Sequence, residues 1–387
     1  MNKQIFLALL GLSMLLPSIS QAQSAPFEYS GWIPYWRIDE GIADATANLN
    51  KLKEINPFGL SITNDGALYD GSLHLEESRW QELQAAAKAK KIRYIPTIMW
   101  SDGEAMHNIL SDPFSRGQLV DQIVANVYEY GWSGIDLDFE GKKAETKDYF
   151  SAFLRELYPK MGNKWVMCTI EARTPLERRY DNIPDDIEYA NDYVEINKYC
   201  DRVRIMTYDQ QRADLTANRA GTNPYIPIAD PKWVESVVTL AKKNIPARKL
   251  VIGVATYGYE WDATPLSSGF SYQKLWAFNP KYATDLALKM GLTTQRNRAG
   301  EMSFSYIDFM PTTVAPAEVE SNPPNSLSSL SPAQSISTLP WSFRVVWWSD
   351  AESIRQKVAL AKKLGVRGIA IFKIDGGEDP KIWEVLK

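Results

Sequence analysis

Residues 131–141 read GWSGIDLDFEG, and this short run decides the expected fold. Alternate positions in it carry acids: Asp136, Asp138 and Glu140. The positions between them carry large apolar side chains: Ile135, Leu137 and Phe139. Because side chains alternate across a β-strand, the acids share one face and the apolar residues share the other. In a closed barrel the apolar face packs under helices, and the acids face the interior near the strand's C-terminal end.

Similar strand-like runs recur along the chain. The eight predicted strands cover residues 30–36, 58–63, 92–100, 132–140, 165–173, 202–209, 249–257 and 366–374. Stretches between them, such as WQELQAAAKAKK and WVESVVTLAKKNI, carry apolar residues at the three- and four-residue spacing of amphipathic helices. This alternation predicts parallel strands with helical crossovers. An open doubly wound sheet is the alternative, but no Gly-rich phosphate loop follows any strand.

The predicted fold class is therefore α/β, a (β/α)8 TIM barrel with a small α+β insertion subdomain between strands seven and eight. The barrel is assigned to residues 23–262 and 347–387, and the insertion to residues 263–346. The connection between the last two strands is far longer than one crossover helix requires. Within it, residues 311–340 are rich in Pro and Ser, and this loop is predicted to lie on the surface.

The N-terminus has the pattern of a secretory signal. Lys3 precedes the apolar run IFLALLGLSMLL, and Ser20-Gln21-Ala22 fits a cleavage site. Residues 1–22 are therefore predicted to be a signal peptide of a secreted bacterial protein, periplasmic or extracellular, with no membrane association after cleavage. The two cysteines, Cys168 and Cys200, could pair after export or remain two buried thiols, and both alternatives stay open.

Composition narrows the chemistry. The formal net charge of −4 argues for neither a nucleic-acid nor an anionic-membrane partner. His74 and His107 are the 2 histidines, which disfavours Ser-His-Asp catalysis and His-rich metal sites. We predict no cofactor and no metal. Carboxylates are the remaining candidates, because three close acids cannot all ionise readily, and one that keeps its proton can act as a general acid.

The fourth strand resembles the signature of glycoside hydrolase family 18, the chitinase-like enzymes, which reads Asp-x-x-Asp-x-Asp-x-Glu. This chain has Ser133-Gly-Ile-Asp136-Leu-Asp138-Phe-Glu140. Met206-Thr207-Tyr208-Asp209 matches the family's Met-x-Tyr-Asp on the sixth strand. GWIPYW and VIGVATYGYEW resemble its first and seventh strands, and the C-terminal stretch is similar to bacterial members of the spore-cortex lytic type. The resemblance spans residues 29–387.

This resemblance implies a retaining hydrolase of β-1,4 bonds next to N-acetylglucosamine, in chitin oligomers, peptidoglycan or a related aminoglycan. Glu140 would protonate the glycosidic oxygen. Asp138 would orient the substrate's own 2-acetamido group, which attacks the anomeric carbon in place of a protein nucleophile. Asp136 would hold Asp138, Tyr208 would hydrogen-bond the acetamido oxygen, and Asp209 would bind the distorted sugar.

Further substrate-binding candidates lie near the predicted strand ends. They are Met206, Phe372, Tyr35, Trp36, Trp100, Tyr257 and Tyr259, with Asn64 and Glu171 as weaker polar candidates. Two positions depart from the family pattern. Ser133 replaces the first Asp of the motif, and Phe372 stands where a Trp often forms the floor of the sugar site. We expect Ser133 to have a supporting role and Phe372 to keep a stacking surface.

Two other functions stay open. A catalytically weak or inactive chitinase-like sugar-binding protein, a lectin, is one alternative, although such members typically lose the catalytic Glu. A barrel glycosidase with a protein nucleophile is the other. It would need a second carboxylate about 5 Å from Glu140, and Glu171 is the first candidate. In every case the expected partner is an oligosaccharide or polysaccharide containing N-acetylglucosamine, and a monomer is expected.

Overall fold

The computed structural model describes residues 26–307 and 342–387. The predicted signal peptide and the predicted Pro/Ser-rich loop lie outside the described residues. Within these ranges the strands are β1 Glu28–Pro34, β2 Glu54–Ile62, β3 Leu68–Tyr69, β4 Arg93–Tyr94, β5 Thr97–Trp100, β6 Gly134–Phe139, β7 Trp165–Glu171, β8 Arg202–Met206, β9 Leu250–Ala255, β10 Gly258–Leu266, β11 Gly269–Phe278, β12 Gln295–Arg296, β13 Met302–Tyr306, β14 Phe343–Trp348 and β15 Gly368–Phe372.

Helices follow most of these strands. The α-helices of the described ranges are α1 Ile38–Ala47, α2 Ser78–Ala89, α3 Gly103–Ser111, α4 Pro113–Glu129, α5 Lys147–Met161, α6 Leu176–Arg179, α7 Tyr193–Tyr199, α8 Leu215–Arg219, α9 Pro231–Ala241, α10 Pro280–Lys289, α11 Ala351–Leu364 and α12 Ile382–Val385. Of the helices in these ranges, none is both long enough and apolar enough to cross a membrane.

Eight parallel strands close into a barrel. Their order is β1, β2, β5, β6, β7, β8, β9 and β15, and β15 pairs back onto β1. The predicted (β/α)8 fold is therefore confirmed. The third predicted strand, residues 92–100, is two short strands separated at Ile95-Pro96. Pro96 has no N–H to donate to a strand ladder, which accounts for the break.

The apolar face of β6 packs against helices, as the alternation predicts. Ile135, Leu137 and Phe139 are at most 1% exposed and belong to the main core. The ring of Phe139 lies 5.8 Å from that of Phe150 and 5.6 Å from that of Phe153, both on α5. Each such buried side chain contributes about 1.5–3 kcal/mol of transfer free energy, so this face fixes which way the acids point.

Short sequence signals set the ends of the last helices around the barrel. Asp230 accepts a hydrogen bond from the Lys232 N–H, and Pro231 follows it at the first helical position of α9. Asp350 and Ser353 form a reciprocal capping box at the start of α11. That helix ends at Gly365, whose positive φ of 67° suits a residue without a side chain.

A second sheet lies between β9 and β15. It is antiparallel, with the order β11, β10, β14, β13 and β12. Its strands begin at Gly258 and end at Trp348, a wider span than the predicted insertion of residues 263–346. Glu301 anchors this sheet to the barrel side. Its buried carboxylate accepts hydrogen bonds from the backbone N–H groups of Ile228 and Ala229 and from the Trp347 indole.

Cys168 and Cys200 form a disulfide, with their Cα atoms 5.9 Å apart. Cys168 lies within β7 and Cys200 directly follows α7. Of the two alternatives left open by the sequence, pairing is therefore the one that the structure shows. A crosslink across 32 residues of sequence stabilises the fold by about 3–4 kcal/mol in the chain-entropy account.

Candidate active site

Asp136 is fixed inside the barrel by side chains from four other strands. Its Oδ2 accepts hydrogen bonds from the Trp32 indole at 3.0 Å and the Thr97 hydroxyl at 2.8 Å, and its Oδ1 accepts one from Thr169 at 2.9 Å. The Arg204 Nη1 lies 2.7 Å from Oδ2. Because β1 and β8 are not neighbours of β6, the contacts from Trp32 and Arg204 cross the barrel interior.

Burial raises the pKa of Asp136 to about 6, and the hydrogen bonds from Trp32, Thr97 and Thr169 act in the opposite direction. The guanidinium of Arg204 adds an opposite charge that also favours the ionised form. Asp136 is therefore held in a fixed position below the other two acids of β6 and its following loop.

Asp138 and Glu140 continue along the same face toward the mouth. Asp138 is 3% exposed, and its Oδ1 meets no hydrogen-bond partner among the described residues. Burial, together with the charges of Glu140, Asp136 and Glu171, raises the pKa of Asp138 well above its usual range. Burial and the Glu171 carboxylate likewise raise the pKa of Glu140. The pKa of each acid therefore lies above that of the free side chain, and a negative charge on Glu140 disfavours ionisation of Asp138.

Asp209 and three tyrosines form another part of the mouth, after β8 and β9. The hydroxyls of Tyr257 and Tyr259 each donate to Asp209 Oδ1 at 2.9 Å. Asp209 has a positive φ of 54°, a backbone region in which non-glycine residues often mark functional sites. Burial raises the pKa of Asp209, and burial followed by the Asp138 charge raises that of Tyr208 well above its usual value. Tyr208 therefore remains a hydroxyl donor.

Phe372 lies at the end of β15 among aromatic rings. It stacks on Tyr208 with ring centroids 5.7 Å apart, and the rings of Trp32, Trp36, Phe58 and Tyr257 meet it edge-on at 5.3–6.4 Å. The peptide bond after it is cis. The structure thus brings Phe372, Trp36, Tyr208 and Tyr257 together in one aromatic surface.

The other candidates lie in different places. Trp100 is 5% exposed and packs edge-on against Phe139 at 5.2 Å, so it belongs to the core under the helices and not to the mouth. Tyr35 lies beside Trp36 with ring centroids 4.9 Å apart and packs partly against that core. Met206 packs beneath Tyr208, and Asn64 is an exposed loop residue after β2.

Ser133 precedes β6 and lies at the opposite end of that strand from Glu140. Its hydroxyl accepts the Tyr94 N–H at 3.1 Å, and its own N–H donates to the Tyr94 carbonyl. It therefore links the end of β4 to the start of β6, and its supporting role in the site stays a prediction.

Sequence reasoning missed Arg204 and Lys142. Arg204 falls on the interior face of β8, and the alternation Arg202-x-Arg204 was a usable signal. Lys142 follows Glu140 by two residues, but nothing in the sequence tells that its side chain folds back and is 1% exposed. Across the described ranges, no group of three or more His, Cys, Asp or Glu residues is placed to hold a metal ion.

A (β/α)8 barrel whose mouth holds buried carboxyl groups of raised pKa, walled by tyrosines and a stacked aromatic surface, has the architecture of a barrel glycosidase. A family model for glycosyl hydrolases family 18 matches residues 45–377. The chain belongs to this family and is a glycosidase, so the resemblance seen in the sequence is confirmed.

Relatives support the same assignment. The uncharacterized glycosylase YvbX of Bacillus subtilis (strain 168) is 22% identical over 353 residues, which cover 88% of each chain. The cortical fragment-lytic enzyme of Bacillus subtilis (strain 168) is 27% identical over 283 residues, 72% of this chain and 54% of that protein. The chain thus spans about half of the second relative. The spore cortex-lytic enzyme SleL of Bacillus cereus has a similar fold, with a TM-score of 0.68 and 22% identity over 93% of this chain and 73% of that one.

Proposed function

We propose that this glycosidase cleaves β-1,4 bonds next to N-acetylglucosamine with retention of configuration, using the substrate's acetamido group as the nucleophile. Glu140 is the general acid and base, and Asp138 is the residue that orients the acetamido group. Asp136, Tyr208 and Asp209 complete the site. The substrate class is an aminoglycan, with peptidoglycan and chitin oligomers as the two forms to test.

The observation that carries this proposal is the buried Asp138 Oδ1, which no described residue satisfies. A buried carboxyl oxygen without a partner is costly, and an amide N–H from a bound acetamido group would satisfy it. Tyr208, whose hydroxyl keeps its proton, supplies a donor for the acetamido oxygen. The mouth therefore offers one acceptor and one donor, which is the pair of groups that an acetamide requires.

The proton inventory follows from the pKa directions. Glu140, in the protonated form that its raised pKa favours, gives its proton to the glycosidic oxygen as the bond to the anomeric carbon breaks. The acetamido oxygen bonds to that carbon and forms an oxazolinium ion. Water then attacks the same carbon from the vacated side as the bond to the acetamido oxygen breaks, and the Glu140 carboxylate takes the proton of the water. Two inversions give net retention.

Glu171 is poorly placed to be a protein nucleophile. Its Oε1 accepts the Gly141 N–H at 3.0 Å, and its Oε2 accepts the Asn191 amide at 2.8 Å. Both oxygens are thus held by the protein. This favours the acetamido group as the nucleophile over a covalent glycosyl-enzyme at Glu171.

The N-terminal signal pattern supports export, where cell-wall glycans are accessible. Relatives named for spore-cortex lysis favour peptidoglycan within the aminoglycan class. We propose a secreted enzyme that acts on such a polymer.

The test compares the wild-type chain with Glu140→Gln, and with Glu104→Gln as the matched control at an exposed position of α3. Each protein is incubated with N-acetylglucosamine oligomers and with purified peptidoglycan, and products are followed by mass spectrometry. We expect Glu140→Gln to lose about 10³-fold or more in turnover with its fold intact, because general acid catalysis contributes about 10²–10⁴-fold. Unchanged turnover would refute the assignment of Glu140. Binding without turnover by both proteins would support a lectin.

A further inference from the structure

The two peptide groups that flank Glu140 are each bound by a side chain. Lys142 Nζ donates to the carbonyl of Phe139, the residue before Glu140. The N–H of Gly141, the residue after it, donates to Glu171 Oε1 at 3.0 Å. Glu140 is therefore held from both sides although it lies beyond the end of β6.

The two side chains are themselves fixed. The Lys142 side chain is 1% exposed, and its Nζ lies 5.0 Å from the ring centroid of Phe150 on α5. Glu171 ends β7 and accepts the Asn191 amide at 2.8 Å. Lys142 Nζ and Glu171 Oε2 are 3.9 Å apart, so the two form an ion pair behind the acid. A lysine buried to this degree is rare without a paired carboxylate.

We propose that Lys142 and Glu171 are positioning residues of this glycosidase. They hold the Glu140 carboxyl against the substrate, and their opposite charges act on it in opposite directions. The inference rests on the proposed role of Glu140 as general acid. It assigns a second purpose to the pair beyond fold stability, because both charges act on the acid that they hold.

The charges around Glu140 come from several elements. Asp138 lies on β6, Glu171 on β7, Lys142 on the loop after β6, and Tyr208 and Asp209 after β8. Apart from burial, the Glu171 carboxylate is the largest influence that raises the pKa of Glu140, and the Lys142 ammonium lowers it. Removal of the Lys142 charge should therefore raise the pKa of Glu140, and removal of the Glu171 charge should lower it.

The signs give a test that a structural role alone would not pass. A general acid loses activity as the pH rises through its pKa, so the alkaline limb of the kcat/KM profile reports Glu140. For Lys142→Met we expect this limb to move to higher pH, with about a tenfold loss of kcat at the optimum because the acid is less well held. For Glu171→Gln we expect it to move to lower pH. The double variant should lie between the two.

Lys143→Met is the matched control, since the neighbouring lysine has a half-exposed side chain paired with Glu104 and Glu145. Its profile should match the wild type. Thermal unfolding identifies any variant that fails to fold, and the Glu171→Gln arm, which keeps the side-chain shape, then carries the test. Unmoved alkaline limbs in folded Lys142→Met and Glu171→Gln, with Glu140→Gln inactive, would overturn this inference and leave the proposed function standing. An active Glu140→Gln would overturn both.

Discussion

The two ends of the barrel interior contain the same kinds of acid in opposite settings. At the N-terminal end, Glu28 contacts the guanidinium groups of Arg93, Arg202 and Arg367 at 2.7–3.1 Å. At the C-terminal end, the cation that acts on Asp138 and Glu140 is Lys142. The pKa of Glu28 is lowered because these guanidinium groups outweigh its burial, whereas the pKa of Glu140 is raised.

The difference shows that burial alone does not determine the pKa of a carboxyl group. Desolvation raises the pKa at both ends, and the supply of cations then decides the outcome. The N-terminal acids are fully paired and hold strands together. The mouth acids have raised pKa values because fewer cations act on them.

Arg204 connects the two ends. It is 1% exposed, contacts Glu54 below it, and lies 2.7 Å from Asp136 above it. Arg93 Nε binds the other oxygen of Glu54 at 2.9 Å. A continuous chain of charges therefore runs from the N-terminal end of the barrel to the first acid of the motif.

The largest change to this arrangement should come from Glu54→Gln, which leaves two guanidinium groups with one less negative charge. Loss of one partner from a buried ion pair costs about 3–5 kcal/mol of unfolding free energy, measurable by urea denaturation. Asp121→Asn is the control, since its pair with Lys160 is exposed and worth about 0–1 kcal/mol. A loss from Glu54→Gln no larger than that of the control would show that the chain of charges does not support the barrel.

A second prediction uses the opposite pKa directions of Glu140 and Glu28. The pKa of Glu140 is raised in the folded state. Its contribution to the free energy of unfolding is therefore lost as the pH rises from the pKa of the unfolded state through the pKa of the folded state. Glu140→Gln should therefore unfold at a higher temperature than the wild type near pH 7, with the difference closing toward pH 4.

The pKa of Glu28 is lowered in the folded state, so the stability that this residue contributes is lost as the pH falls. Glu28→Gln should be less stable near pH 7, with that gap also closing in acid. Gaps of the same sign for both variants would contradict the comparison.

Much of the fold could be predicted, because hydrophobic periodicity is local. The alternation in residues 131–141 correctly placed Phe139 against helices and Asp136 inside the barrel. Strand ends were harder to predict. Seven of the eight predicted strands end one to three residues too late, because the backbone already turns into the mouth loops there. Glu140, Tyr208 and Tyr257 all lie in those loops.

The site could be predicted only in part, because contacts across the interior leave no local trace. Trp100 is a residue type that often binds sugars, yet its position in the alternation of β5 places its side chain on the outer face of the barrel, against Phe139. The binding of Lys142 to the Phe139 carbonyl depends on how the chain folds back after Glu140. Neither strand period nor motif carries that information.

The smallest expected effect comes from substituting one aromatic residue at each end of the barrel. Trp165 lies against the guanidinium groups of Arg93 and Arg202, which are 4.4 and 4.9 Å from the centroid of its ring. Phe372 instead lies among aromatic rings beside Tyr208. For Phe372→Leu we expect KM for N-acetylglucosamine oligomers to rise about fivefold, since an aromatic contact is worth about 0.5–1.5 kcal/mol.

Trp165→Leu should leave KM unchanged and lower the unfolding temperature, because its ring supports two charged groups far from the mouth. Steady-state kinetics and thermal unfolding of both variants separate these outcomes. If Trp165→Leu changed KM as much as Phe372→Leu, the charge chain through Arg204 would transmit structure from one end of the barrel to the other. The division into a paired, structural end and a reactive end would then have to be abandoned, and the interior would be treated as one coupled unit.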